Sequence, residues 1–276
     1  RFIFIQLALF LNYRNAPFLS RELIFMENSM YQMQGKYAKI GRNSYRKEFI
    51  MKIYESPTGS FLEFTGLDKV QAPVISVVGA GGKTSLIYAM SKEFSNRKIH
   101  HGIFTTTHMW PVAEEAFRRT LGSRTPSGKM EPPKEEDIEK LFAEKIPVLI
   151  EADGSKGFPC KAPEAWEPVL REETTHVFGV IGASCLGKTV EESCHRPGRV
   201  MELLKCSPGH RLIPGDLAEL GASPWGLKKN VKPGQWFGIV INQVDTDGIY
   251  DEIKQIREQF RQKGVEHIFF VRMMNK

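Results

Sequence analysis

From residue 73 onward, short apolar runs alternate with segments whose apolar residues return at helical spacing. The run 73–78, P-V-I-S-V-V, has almost no polar positions and reads as a strand buried on both faces. After the glycines of 79–82, Leu86, Ile87, Met90 and Phe94 recur on one side of a helix. Further strands are predicted at 102–107, 147–150, 177–181, 237–241 and 267–271. Between them the pattern predicts helices at 111–119, at 133–145 and at 248–263, and a Pro/Gly/Ser loop at 123–133. The segment 133–145 opens with Pro and acids and closes on Lys, in keeping with the helix dipole. In 248–263, Ile249, Ile253, Ile256 and Phe260 share one face.

Strands alternating with helices imply βαβ units and a mostly parallel sheet. The expected fold class is therefore α/β, a P-loop-like doubly wound sheet with helices on both faces, spanning 51–276 as one nucleotide-binding domain. Residues 188–234 are richer in Gly, Pro and turns and read as an insertion or a small subdomain. No internal repeat is visible.

Charge changes this picture at one end. The chain of 276 residues has a net charge of +6, which taken alone invites a polyanion-binding reading. Residues 1–50 hold eight basic and three acidic side chains, a surplus of +5, so 51–276 carries only +1. The same fifty residues contain no Val, Thr or Asp. The break points to an extension preceding a start at Met51, with a secretory leader and a dispensable arm as the alternatives. The apolar stretch 2–11 is about half a bilayer span, which argues against a membrane helix. Nucleic-acid binding loses its support, because 51–276 has no dense Lys/Arg stretch with interleaved aromatics. Cys160, Cys185, Cys194 and Cys206 form no C-x-x-C pair and read as reduced, buried thiols. Cys194 and His195 are too few to complete a tetrahedral metal site.

The densest chemistry lies at Gly79-Ala80-Gly81-Gly82-Lys83-Thr84-Ser85, between a predicted strand and a predicted helix. Glycines let backbone N–H groups curl around a phosphate, and the helix dipole adds to the attraction. Lys83 reaches terminal phosphates, and the Thr84 hydroxyl holds magnesium. The spacing is G-x-x-G-K-T, a shortened loop of the kind found in Mur-ligase-like nucleotide binders, with Val77 where the longer motif has its first Gly. ATP or GTP with Mg2+ is the expected ligand, and a nucleoside triphosphate implies a cytoplasmic protein.

Phosphoryl chemistry needs a carboxylate near the metal. The run V-L-I-E-A-D-G-S-K (148–156) offers Asp153 for the magnesium shell, directly or through water, and Glu151 as water positioner or second metal contact; a turn cap at Gly154 is the alternative. Lys83, Glu151 and Asp153 are thus the expected catalytic residues. Thr105, Thr106, Thr107 and His108 close a strand where parallel sheets bind ligands and are expected near a second substrate, although threonines also serve as plain strand formers and His108 equally suits a turn. In I-N-Q-V-D (241–245), Asn242 and Asp245 are spaced as in the guanine-reading N-K-x-D motif, but Gln243 replaces its Lys, and Asp245 equally suits a helix cap.

These motifs together resemble the YqeC family, also described as selenium cofactor biosynthesis proteins. The likeness rests on V-V-G-A-G-G-K-T-S (77–85), T-T-T-H-M (105–109), and L-I-E-A-D-G-S-K (149–156) running into K-A-P-E-A-W-E-P (161–168). It continues through V-I-G and L-G-K (180–188), His195-Arg196-Pro197 and I-N-Q-V-D. It does not extend to 1–50. Cys160 and Gln243 depart from the expected pattern. The resemblance implies an accessory role in maturing selenium-dependent molybdenum hydroxylases, with the hydroxylase or its molybdopterin cofactor as partner. Lys156, Lys161 and Arg196 are the cations expected near a second substrate.

Three activities fit. The first is NTP hydrolysis or phosphoryl transfer coupled to cofactor maturation. The second is a nucleotide-gated chaperone that delivers the cofactor without chemistry of its own. The third is a Mur-ligase-like or molybdopterin nucleotidyl-transferring enzyme.

Overall fold

The computed structural model describes residues 53–55, 59–111, 116–244 and 250–273; the expected extension 1–50 and Asp245 lie outside them. Its strands are β1 (Ile53–Glu55), β2 (Val74–Gly79), β3 (His101–Thr105), β4 (Arg118–Thr120), β5 (Val148–Glu151), β6 (Cys160–Lys161), β7 (His176–Gly182), β8 (Cys194–His195), β9 (Trp236–Asn242) and β10 (Ile268–Arg272). Eight of them form one sheet in the order β1-β10-β9-β7-β2-β5-β3-β4, while β6 and β8 pair separately. Every pairing in the large sheet is parallel.

The long apolar runs become the central strands because both sheet faces are covered. All six residues of β2 are buried. On one face pack α1 (Phe61–Thr65) and α2 (Lys83–Asn96). Phe61 and Leu62 of the first and Leu86, Ile87, Met90 and Phe94 of the second join Ile75, Val77, Ile103, Leu149, Phe178 and Val180. The opposite face receives α3 (Glu135–Ala143), whose Ile138 and Leu141 meet Phe104, Val148 and Ile150. Farther along it lie α5 (Pro197–Leu204), α6 (Pro214–Ala222) and α7 (Tyr250–Gln262), packed on Val177, Ile181, Ile239 and Ile241. The four-residue α4 (Val190–Ser193) precedes β8. Apolar residues of 188–234, among them Val190, Val200, Leu217 and Leu227, share this cluster with the sheet.

Two consequences position the site. The chain leaves β2 through α2 on one face, whereas the helices after β7, its neighbour, lie on the other. Adjacent strands whose connections part in this way leave a crevice at their carboxyl ends. Parallel pairing also brings the ends of β2, β3, β5, β7 and β9 to one edge of the sheet, with Val77 and Thr105 both level with Glu151, and Gly182 level with Asn242.

One expected element is different. In place of a helix over 111–119, the structure has β4 at 118–120, and residues 112–115 are not described. Without β4 the edge of β3 would carry unpaired backbone groups, and sheet pairing outweighs the local pattern. Phe117, at φ 67°, turns the chain onto that edge, its carbonyl accepts from His101 N–H at 2.9 Å, and Leu121 N–H reaches Ile103 O at 2.9 Å.

Candidate functional site

The glycine loop follows β2 directly and is clamped from several sides. Ala80 N–H donates to Val180 O at 2.9 Å, tying the loop to β7. Gly81 and Gly82 have φ of 86° and 129°, values that L side chains rarely adopt. A Cβ on Gly81 would lie 2.3 Å from Gly182 N, and one on Gly82 would lie 2.1 Å from Asn242 Nδ2. The loop is therefore closed down onto β7 and β9, and α2 begins at Lys83 with its first N–H groups lacking intrahelical acceptors, as in any helix.

Beneath the loop lies a run of alternating charges. Asp153 is fully buried, and both its oxygens accept from Gly79 N–H, at 3.1 and 2.9 Å. Lys83 Nζ sits 3.2 Å from Oδ1 of the same carboxylate, donates to Gly79 O at 2.7 Å and meets Ser155 Oγ at 3.1 Å. Lys161 Nζ lies 3.1 Å from Oδ2, 2.7 Å from Glu167 Oε2 and 2.7 Å from Gly154 O. Arg196 completes the run through its pairing with Glu167 and a longer approach to Glu164. Burial pushes the Glu167 carboxyl up, but hydrogen bonds from Arg196 and Lys161 outweigh it and hold the group at about 2.

Glu151 stands apart from this run. Thr84 Oγ1 donates to Glu151 Oε2 at 2.7 Å, so the loop hydroxyl and the acid at the end of β5 face one another. Burial raises the Glu151 carboxyl above its ordinary value; the nearby Lys83 charge and the Thr84 hydrogen bond offset this only in part. The two acids thus have different partners. Asp153, expected in the magnesium shell, is fully buried and engaged by one backbone N–H and two ammonium groups. Glu151, with Thr84, offers the oxygen pair.

The other expected residues divide. Thr105 Oγ1 donates to Glu151 O at 3.1 Å and accepts from Thr107 N–H at 3.1 Å. Thr106 and Thr107 sit beside it at the same sheet edge, and His108 is exposed. Asn242 is buried; its amide donates to Gly81 O at 2.8 Å and its carbonyl accepts from Met273 N–H at 3.0 Å, so this side chain buttresses the loop. Lys156 is exposed at φ 49°. Lys161, expected as a cation facing a second substrate, is only 1% exposed and is committed to Asp153 and Glu167. Sequence reasoning passed over Ser155 and Glu167, although both lie within the quoted motifs. Lys161 and Glu167 are six residues apart, a spacing that signals no pairing in a helix or a strand.

Beside this network, Cys160 and Cys194 pair across β6 and β8. Hydrogen bonding with Cys185, then burial, push the Cys160 thiol far up, and contact with Cys160 together with burial does the same to Cys194. Such thiols are poor nucleophiles. Burial and the charges of Arg196, Lys161 and Lys156 lower His195 to about 4, so its imidazole is neutral at pH 7. Its ring stacks on Phe158 with centroids 6.1 Å apart.

Comparison with known proteins follows the same residues. The family described as YqeC protein matches residues 75–198, from the strand before the glycine loop to just past Arg196. The Escherichia coli K12 protein named "Uncharacterized protein YqeC" is 34% identical over 214 residues, covering 67% of this chain and 83% of that relative. The chain belongs to the YqeC family. Its YqeC region therefore contains the whole charge run, Lys83, Asp153, Lys161, Glu167 and Arg196, together with Thr84 and Glu151. No solved structure matches this YqeC-family chain. Among the described residues no group of three or more His, Cys, Asp or Glu is arranged around a metal position, and no helix is long and apolar enough to cross a membrane.

Proposed function

We propose that this YqeC-family chain binds a nucleoside triphosphate with Mg2+ through a P-loop-like site and uses it in maturing selenium-dependent molybdenum hydroxylases. The observation that carries the nucleotide reading is the meeting of Thr84 Oγ1 and Glu151 Oε2 at 2.7 Å beside Lys83, under a glycine loop held rigid by Asp153 and Asn242. The loop N–H groups and the α2 dipole favour the phosphates, and Lys83 supplies the cation that follows them along the chain. The donor set fits Mg2+: it takes hard oxygens, keeps several waters and commonly uses one or two carboxylates with substrate phosphates in place of an all-protein cage. Thr84 and Glu151 would hold it, and when bound it neutralises charge on the phosphates. The selenium role rests on family membership and on the expectation attached to that family above.

The test is thermal denaturation of the full chain with ATP or GTP, each with and without Mg2+. A nucleotide at one hundred times its Kd stabilises by about 2.7 kcal/mol. One of the two is expected to raise the melting temperature more with Mg2+ than without, and Lys83→Ala is expected to abolish the rise. If neither nucleotide shifts the transition, the reading fails. Release of inorganic phosphate on incubation with a molybdenum hydroxylase then separates turnover from binding alone.

A further inference from the structure

At the tip of β3 two neighbouring hydroxyls have nothing to bond. Thr106 Oγ1 and Thr107 Oγ1 are buried and lack any hydrogen-bond partner. The backbone around them is well tied: Thr106 N–H donates to Glu151 O at 3.0 Å and Thr107 N–H to Thr105 Oγ1 at 3.1 Å. A buried hydroxyl without a partner costs stability, so each one in a folded protein calls for a reason. Here both lie two strands over from the glycine loop, next to Glu151 of the intervening β5.

The chain after them folds back over the same edge. Met109 N–H donates to Met130 O at 3.2 Å and Met130 N–H to Met109 O at 2.8 Å, a bridge that sets Trp110 beside Lys129. Lys129 Nζ stands 5.2 Å from the centre of the Trp110 ring, and its charge is felt at the Glu151 carboxyl. Trp110 is 58% exposed, an unusual position for a large apolar ring. Two unpaired hydroxyls, a half-buried ammonium and an uncovered indole thus border one side of the Thr84–Glu151 pair. Lys161 and Arg196, the cations expected to meet a second substrate, already face carboxylates.

We propose that Thr106, Thr107, Lys129 and Trp110 form a subsite for a phosphate-like oxyanion carried by a second small-molecule substrate, next to the nucleotide. The threonine hydroxyls donate to its oxygens, Lys129 balances its charge, and Trp110 covers the body of the molecule. Only its adjacency to a nucleotide rests on the proposed function; the oxyanion site itself does not.

The probe is inorganic phosphate, titrated calorimetrically at constant ionic strength into the full chain. One arm uses wild type saturated with a non-hydrolysable nucleotide and Mg2+; the other uses Lys83→Ala without nucleotide, in which the glycine loop has lost its cation. Phosphate is expected to bind in both, and at least tenfold more weakly after Thr106→Val with Thr107→Val, or after Lys129→Ala. The double valine variant is also expected to melt no lower than the parent, because a methyl replaces an unpaired hydroxyl. A lowered melting temperature would show internal partners for the hydroxyls and overturn the subsite. Unchanged phosphate affinity in the valine variant, or phosphate binding that vanishes with Lys83→Ala alone, overturns it as well. Failure of the nucleotide reading appears separately, as an absence of nucleotide binding to wild type, and leaves the Lys83→Ala arm to decide this one.

Discussion

Lys161 Nζ approaches Asp153 Oδ2 at 3.1 Å, on the opposite oxygen from Lys83, whose ammonium lies 3.2 Å from Oδ1. One sealed carboxylate therefore serves two buried cations and, through Gly79 N–H, fixes the first residue of the glycine loop. A buried pair gives little net stability over an apolar replacement, but removing one member leaves the other charge uncompensated. What the arrangement secures is position: Lys83 is held above the turn by a carboxylate that is itself held from behind by Lys161.

Asp153→Asn tests this. The amide oxygen still accepts from Gly79 N–H, so size and the backbone contact are kept while the charge is lost. Lys83 then loses its ion-pair partner while Lys161 keeps only Glu167, and the expected cost is about 3–5 kcal/mol, read from urea denaturation at pH 7. A loss of less than about 1 kcal/mol, in the range of an exposed pair, would mean that the three groups are not coupled.

Glu167 predicts an acid-sensitive fold. Its ordinary value is 4.5, and Arg196 and Lys161 hold it at about 2 against the upward push of burial. A carboxyl depressed on folding contributes fully above its unfolded value and loses that contribution as pH falls toward the folded one. The window is therefore pH 4.5 down to about 2, with on the order of 3 kcal/mol at stake. Denaturation midpoints measured across that window are expected to fall in the parent and to flatten in Glu167→Gln. A parallel slope in both would place the acid sensitivity elsewhere.

The parts legible in the sequence were those fixed by local pattern. β2, β5, β7 and β9 are apolar runs because both faces of the sheet are covered, and α2, α3 and α7 carry one apolar stripe each. The glycine loop was legible because its glycines, Lys83 and Thr84 sit within one turn. β4 was not, since pairing to an open edge is decided by β3 and not by residues 111–119. The different partners of Glu151 and Asp153 were hidden for the same kind of reason. Both acids close one strand, and only the turn after them decides which meets Thr84 and which meets Gly79 N–H. Lys161 looked like a surface cation because its partners come from two separate turns.

Two glycines near the site are expected to behave oppositely. Gly82 has φ 129°, and a Cβ there would meet Asn242 Nδ2 at 2.1 Å, so Gly82→Ala must displace the side chain that holds Gly81 O. Gly154 has no atom within 4 Å of an added Cβ and does not need positive φ. Nucleotide affinity is expected to fall at least tenfold for Gly82→Ala and to change less than twofold for Gly154→Ala. Equal behaviour would show that the close fit of the loop against Asn242 does not govern binding.

Glu151→Gln isolates the metal contact. The amide keeps the shape and can still accept from Thr84 Oγ1, but it is a much poorer ligand for Mg2+ than a carboxylate. The parent should bind its nucleotide more tightly when Mg2+ is added, and the variant should bind with nearly the same affinity with or without the metal. Because burial raises the Glu151 carboxyl by disfavouring its charged form, a neutral amide at this position avoids that cost. Its melting temperature at pH 7 without ligand is therefore expected to equal or exceed that of the parent, which separates loss of a metal contact from loss of structure. If Mg2+ strengthens nucleotide binding equally in both proteins, the Thr84–Glu151 pair is not where the metal sits.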